Sequence, residues 1–122
     1  MQVQTTLIDS ALILQPLAES IDSSVATRFK TRIIDAIHQG HRQIVLDFSR
    51  VQFMDSSGLG AIVSILKTLG EDGKLILCHV DPAIRSLFRL TRFDRIIPIC
   101  DSVDEACGIL KIGSATSDNP TG

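Results

Sequence analysis

A chain of 122 residues, 44% hydrophobic and 21% charged, is sized for one packed domain of ~100–200 residues and excludes a disordered polar chain. Twelve Lys and Arg against fourteen Asp and Glu leave a formal charge of −2, so no basic excess draws nucleic acid or an anionic membrane surface. The absence of Trp and Tyr, with only five Phe, leaves little from which a base-stacking platform is built.

Two short apolar segments come first, Val3 to Ile8 and Ala11 to Leu14, around the turn-forming pair Asp9-Ser10. This predicts a tight hairpin. Pro16 lacks a ladder donor, so it limits the second strand or places it near an edge. Asp22 or Ser23 is positioned to cap a helix whose inward stripe is Val25, Phe29, Ile33 and Ile37, with Arg28, Lys30, Arg32 and Asp35 facing water. Gly40 ends that helix. Gln43 to Phe48 reads as a buried strand. After Met54-Asp55-Ser56-Ser57-Gly58, a second helix is predicted with Leu59, Ile62, Val63, Leu66 and Leu69 turned inward, closed by Gly70 and Gly73.

Lys74 to Cys78 reads as another buried strand. Asp81-Pro82 opens a third helix with Asp as cap and Pro at the first position, its inward face being Ile84, Leu87 and Phe88. A short strand is predicted over Ile96 to Ile99. Ser102-Val103-Asp104-Glu105 forms a capping-box pattern for a last helix ending near Lys111. Gly113 to Gly122 has no large apolar residue and is expected to be a mobile tail. The expectation is a single α/β domain over residues 1–112 with a flexible tail over 113–122. It carries a mixed, mainly parallel sheet of about five strands, an antiparallel N-terminal hairpin and four helices.

Cys78, Cys100 and Cys107 form an odd set without a CxxC pair. They read as small buried hydrophobes in a reducing compartment, and no metal site is assigned. The start lacks the layout of a signal peptide, and no apolar run approaches the ~18 residues of a membrane span. A cytoplasmic location without membrane insertion is the expectation.

The densest polar cluster is Asp55-Ser56-Ser57-Gly58, followed by Leu59-Gly60. It lies at a strand-to-helix junction, where open α/β sheets carry functional groups. Two glycines permit close backbone approach, and two hydroxyls sit where the first helix amides are unpaired. Asp55 or Ser56 acting only as a helix cap is the simpler reading of such a tetrapeptide. The local pattern by itself does not identify a function.

Enzymatic signatures fail here. No Gly-Lys-Ser/Thr ends a P-loop, Gly58-Leu59-Gly60 does not continue as GxGxxG, and no GxSxG elbow occurs. His38 and His41 flank Gly40 as surface residues, and His79 follows a strand without an identifiable partner. Asp22 and Asp55 would suit acid–base work or Mg²⁺ only if folding brought them together. Nothing supports autonomous catalysis.

Phe53-Met54-Asp55-Ser56-Ser57-Gly58-Leu59-Gly60 resembles the phosphorylation loop of STAS domains, specifically the bacterial anti-sigma-factor antagonists. The resemblance runs from about Val3 to Leu110. It includes Ile44 to Phe48 as the strand leading to the motif, Pro82 to Phe88 and Ile96-Ile97 as the later helix and strand, and Ile21-Asp22 as the acidic position. The family often has glycine where Glu19 and Arg92 stand, and these departures imply a divergent partner preference on the same fold.

The resemblance implies a non-enzymatic switch without a cofactor. The unphosphorylated antagonist captures an anti-sigma factor that is itself a serine kinase. Phosphorylation releases it, and a metal-dependent Ser/Thr phosphatase reverses the step. The acceptor maps to Ser56, with Ser57 as alternative. The contact face would comprise Asp22, Asp55, Ser56, Ser57, Gly58 and Leu59. Two other readings compete: a STAS scaffold or subunit of a signalling or transport assembly with Ser56 only a cap, and a nucleotide-binding or enzymatic use of the Asp55 cluster.

Overall fold

In the computed structural model, which describes residues 1–113, the chain opens as the predicted hairpin. Strand β1 (Val3–Ile8) pairs antiparallel with β2 (Ala11–Pro16), Val3 facing Pro16 and Ile8 facing Ala11. Asp9 takes a φ of 52°, the left-handed value that two-residue hairpin turns need at their first central position. Pro16 ends β2 but does not make it an edge. Its first four residues pair parallel with β4 (Gln43–Asp47), and Pro16 lies beyond that ladder.

The sheet runs β1-β2-β4-β6-β7, with β6 (Lys74–Cys78) and β7 (Ile99–Cys100) parallel to β4. A second, two-stranded parallel sheet, β3 (Ser20–Ile21) with β5 (Phe53–Met54), was not anticipated. Helices α1 (Ala26–His38), α2 (Ser56–Leu69) and α3 (Pro82–Leu90) cover one face through Phe29, Ile33, Ile62, Ile65, Ile84 and Phe88. Helix α4 (Val103–Leu110) covers the other, where Ala106, Cys107 and Leu110 meet Ile13, Val45, Ile76 and Cys78. Five strands in the main sheet and four helices match the expected class, and among the described residues no helix is long and apolar enough to cross a membrane.

Several local expectations are corrected. Neither Asp22 nor Ser23 caps α1. Val25 stands at the N-cap without a side-chain bond and is only half-buried, because the Asp22 carboxylate is engaged by Ser24. The stripe on α2 is rotated: Ala61, Ile62, Ile65 and Leu69 are buried, while Leu59, Val63 and Leu66 are half-buried. Small residues there let α1 approach. The strand expected over Ile96 to Ile99 begins only at Ile99. The amides of Ile96 and Ile97 bond to the Phe93 carbonyl, closing a 3₁₀ turn (Phe93–Arg95), and Pro98 accepts from Leu77 but has nothing to donate. On α3, Leu87 is half-buried beside the buried Ile84 and Phe88.

The other helix ends follow their local chemistry. Asp81 Oδ2 accepts from Ala83 N at 3.0 Å and Ser102 Oγ from Glu105 N at 3.0 Å. Glu105 closes the box on Asp101 N, one residue earlier than the ideal pattern. Gly113 N donates to Asp9 Oδ2 at 2.7 Å. The rest of the expected tail lies outside the described residues. All three cysteines are buried free thiols.

The two departures from family glycines differ in consequence. Glu19 has no positive φ, whereas Arg92 sits at φ 65°, ψ 18°. A left-handed non-glycine residue costs about 1–2 kcal/mol, against which glycine loses about 0.5–1 kcal/mol in unfolded-chain freedom. Arg92→Gly is therefore expected to stabilise the protein by about 0.5–1 kcal/mol. A urea midpoint that falls would contradict this balance.

Candidate functional site

The site is assembled where the small sheet meets α2. Ser20 pairs with Phe53 and Ile21 with Met54. The loop beneath is tied by the Glu19 carbonyl, which accepts from Gln52 N at 2.7 Å and Phe53 N at 3.1 Å. Continued by one residue, that parallel register sets Asp22 alongside Asp55. The carboxylates that sequence spacing could not relate thus leave adjacent strand ends.

Asp55 takes an extended conformation and caps α2. Its Oδ1 accepts from Ser57 N at 2.9 Å and Gly58 N at 3.3 Å, and its carbonyl accepts from Leu59 N at 3.1 Å. Such a cap is worth about 1 kcal/mol. The two amides that an incoming anion would seek are therefore already held by a carboxylate. Ser56, the first helical residue, is exposed, and its hydroxyl has no hydrogen bond to another described residue. Ser57 is half-buried.

Asp22 shows a different economy. Its Oδ1 accepts from Ser24 Oγ at 2.6 Å and Ser24 N at 2.9 Å. Those bonds, the hydroxyl first, hold its carboxyl below the usual aspartate range. The two strand ends thus carry Asp22, its carboxyl held low by Ser24, and Asp55, with Ser56 following at the start of α2.

Ser57 lines a cleft of about 210 Å³ between α1 and α2, with Ser23, Thr27, Lys30, Gly60 and Ser64. Lys30 was expected to face water but is half-buried in this cleft. Its signal in the sequence was faint: Ser23, Thr27 and Lys30 recur at helical spacing beside the apolar stripe. Gly58 is buried, whereas Leu59 is half-buried. A β-carbon on Gly58 would lie 2.6 Å from Met54 Cγ and 2.7 Å from the Ile21 carbonyl oxygen. That glycine lets α2 seat on the small sheet and so fixes Ser56 at the rim.

This arrangement has known counterparts. A Bordetella bronchiseptica protein carrying the provisional name of anti-sigma factor antagonist BtrV is 29% identical over 112 residues, 91% of this chain and 96% of that one. The crystal structure of a Thermotoga maritima protein, provisionally an anti-sigma factor antagonist, superposes with a TM-score of 0.84 at 31% identity, covering 89% of this chain and 94% of that one. The anti-sigma factor antagonist SpoIIAA, solved unphosphorylated, gives a TM-score of 0.64 at 25% identity over 90% of this chain and 96% of its own. The phosphorylated form of the Bacillus protein gives 0.69 at 23% identity, covering 89% and 99%. The STAS domain model matches residues 2–106. Antagonists of this kind are binding proteins rather than enzymes, and with its hairpin, parallel strands and Asp55-capped helix this chain belongs to the STAS domain family.

Proposed function

We propose that this chain is an anti-sigma-factor antagonist switched by phosphorylation of Ser56. With Ser56 free, it captures an anti-sigma factor that is also a serine kinase, and so frees a sigma factor. The kinase transfers the γ-phosphoryl of ATP to Ser56 Oγ, ADP departs, and the complex separates. A metal-dependent Ser/Thr phosphatase restores the hydroxyl. This chemistry belongs in the cytoplasm, where ATP and sigma factors are found.

The observation that carries the reading is the state of Ser56. It is exposed, without a partner among the described residues, and held at a helix start by the Asp55 cap. Ser57 is the weaker candidate because its half-buried side faces the α1–α2 cleft. Asp22, Asp55 and Leu59 complete the contact face, the two carboxylates offering complementarity to a basic partner surface, while Gly58, expected on that face, is buried and instead seats α2 beneath it. The relatives named as antagonists, and SpoIIAA solved with and without its phosphate, support the same reading.

Incubation with ATP and an extract of the organism that encodes the chain, followed by intact-mass measurement and peptide mapping, tests it. One phosphate on Ser56 is expected, lost in Ser56→Ala and kept in Ser57→Ala. Transfer to Ser57 alone, or none, would overturn the assignment.

A further inference from the structure

A second group of chemistry-bearing side chains lies at the C-terminal ends of β4 and β6. Asp47 and Cys78 are register partners in adjacent parallel strands, so their side chains share the face covered by α4. His79 follows Cys78, and in a continuing strand its ring would point to the opposite face. Instead His79 has a φ of 56°, and its ring turns back towards the other two. One ligand atom from each of Asp47, Cys78 and His79 lies within 4.8 Å of the others. A tetrahedral ion with bonds of ~2.0–2.3 Å holds its ligands roughly 3.3–3.6 Å apart, so small side-chain rotations close the gap.

The surroundings fit a cation. Asp47 Oδ1 accepts from Ser49 N at 3.0 Å, which orients the carboxylate and leaves Oδ2 for a ligand. The His79 ring has no hydrogen bond to another described residue. Asp47 is half-buried and borders a depression of about 190 Å³ with Thr6, Gln15 and Val103, and His79 is exposed, so solvent reaches these two ligands and can supply a fourth. We propose that Asp47, Cys78 and His79 bind a thiophilic divalent cation of the Zn²⁺ class.

The charge count supports that class. A carboxylate and a thiolate neutralise a divalent ion, and the neutral imidazole adds a borderline donor that Mg²⁺ and Ca²⁺ disfavour. Binding expels the Cys78 thiol proton to solvent, and the cation takes its place beside the carboxylate.

The full-length chain, reduced and free of metal, is titrated with Co²⁺ under argon. One equivalent is expected to give a thiolate-to-cobalt charge-transfer band and the strong visible absorption of a tetrahedral ion, both bleached by Zn²⁺. Asp47→Asn and His79→Asn should each weaken Zn²⁺ binding by about tenfold or more. Both spare the core, and asparagine tolerates the left-handed backbone at 79. Cys100→Ala should keep the band, separating Cys78 from the other buried thiols. The proposal is overturned by absence of a thiolate band, by its survival in both ligand variants, or by its loss in Cys100→Ala.

Discussion

Ser56→Asp is expected to weaken capture of the anti-sigma factor by about hundredfold or more, roughly 2.7 kcal/mol, while urea midpoint and circular dichroism stay unchanged. Ser56→Ala should keep capture within a few-fold, because it adds no charge to the contact face. The cost arises between partners rather than inside the fold. A new anion at residue 56 would stand beside the Asp55 carboxylate, which already holds the amides of Ser57 and Gly58. It cannot be absorbed by those donors without displacing the cap.

Either outcome at the helix start preserves α2. If the added charge displaces Asp55, one anionic acceptor replaces another at the positive end of the helix. If it does not, two anions project towards the partner, with the Asp22 carboxyl held low by Ser24 at the end of the paired strand β3. A phosphate, with ~1.5–2 charges, should act more strongly than aspartate in the same direction. Calorimetry of the three proteins against the purified anti-sigma factor gives the comparison. Equal affinity for Ser56→Asp and the unmodified chain would leave the scaffold reading, in which Ser56 is only a helix residue.

What could be read from the sequence was mostly what is local. Asp81 and Ser102 bond to amides two and three residues ahead, so their caps were visible in the chain order, and so was that of Asp55. Strands β3 and β5 have two residues each, too short for any period, and they alone relate Asp22 to Asp55. Asp22 itself misled because an aspartate before a helix has two uses, and here it turns back to Ser24. The face of α2 was misjudged by weighting bulk. Its packing against α1 favours Ala61 and Ser64, not Val63. The Asp47–Cys78–His79 group was hidden for a further reason: a whole crossover separates Asp47 from Cys78, and the His79 backbone departs from strand geometry.

Gly58 and Gly60 show the same limit in one motif, since both read as residues permitting close approach. A β-carbon at Gly60 would meet nothing within 4 Å, whereas at Gly58 it collides with Met54 and the Ile21 carbonyl. Met54 has some freedom to shift, but the carbonyl belongs to β3, which pairs with β5. Gly58→Ala is accordingly expected to destabilise the protein by about 2–3 kcal/mol, despite alanine's better helix propensity. The melting point should fall by roughly 10–20 °C. Gly60→Ala, in the same helix and free of contacts, should gain about 0.5–1 kcal/mol. Because the collision lifts the start of α2 from the small sheet, Gly58→Ala should also weaken partner capture at temperatures where it remains folded. Opposite signs for the two glycines in matched urea titrations are the decisive reading. If Gly58→Ala proved as stable as Gly60→Ala, α2 would not be seated on β3 and β5 as described, and the placement of Ser56 at the rim would lose its support.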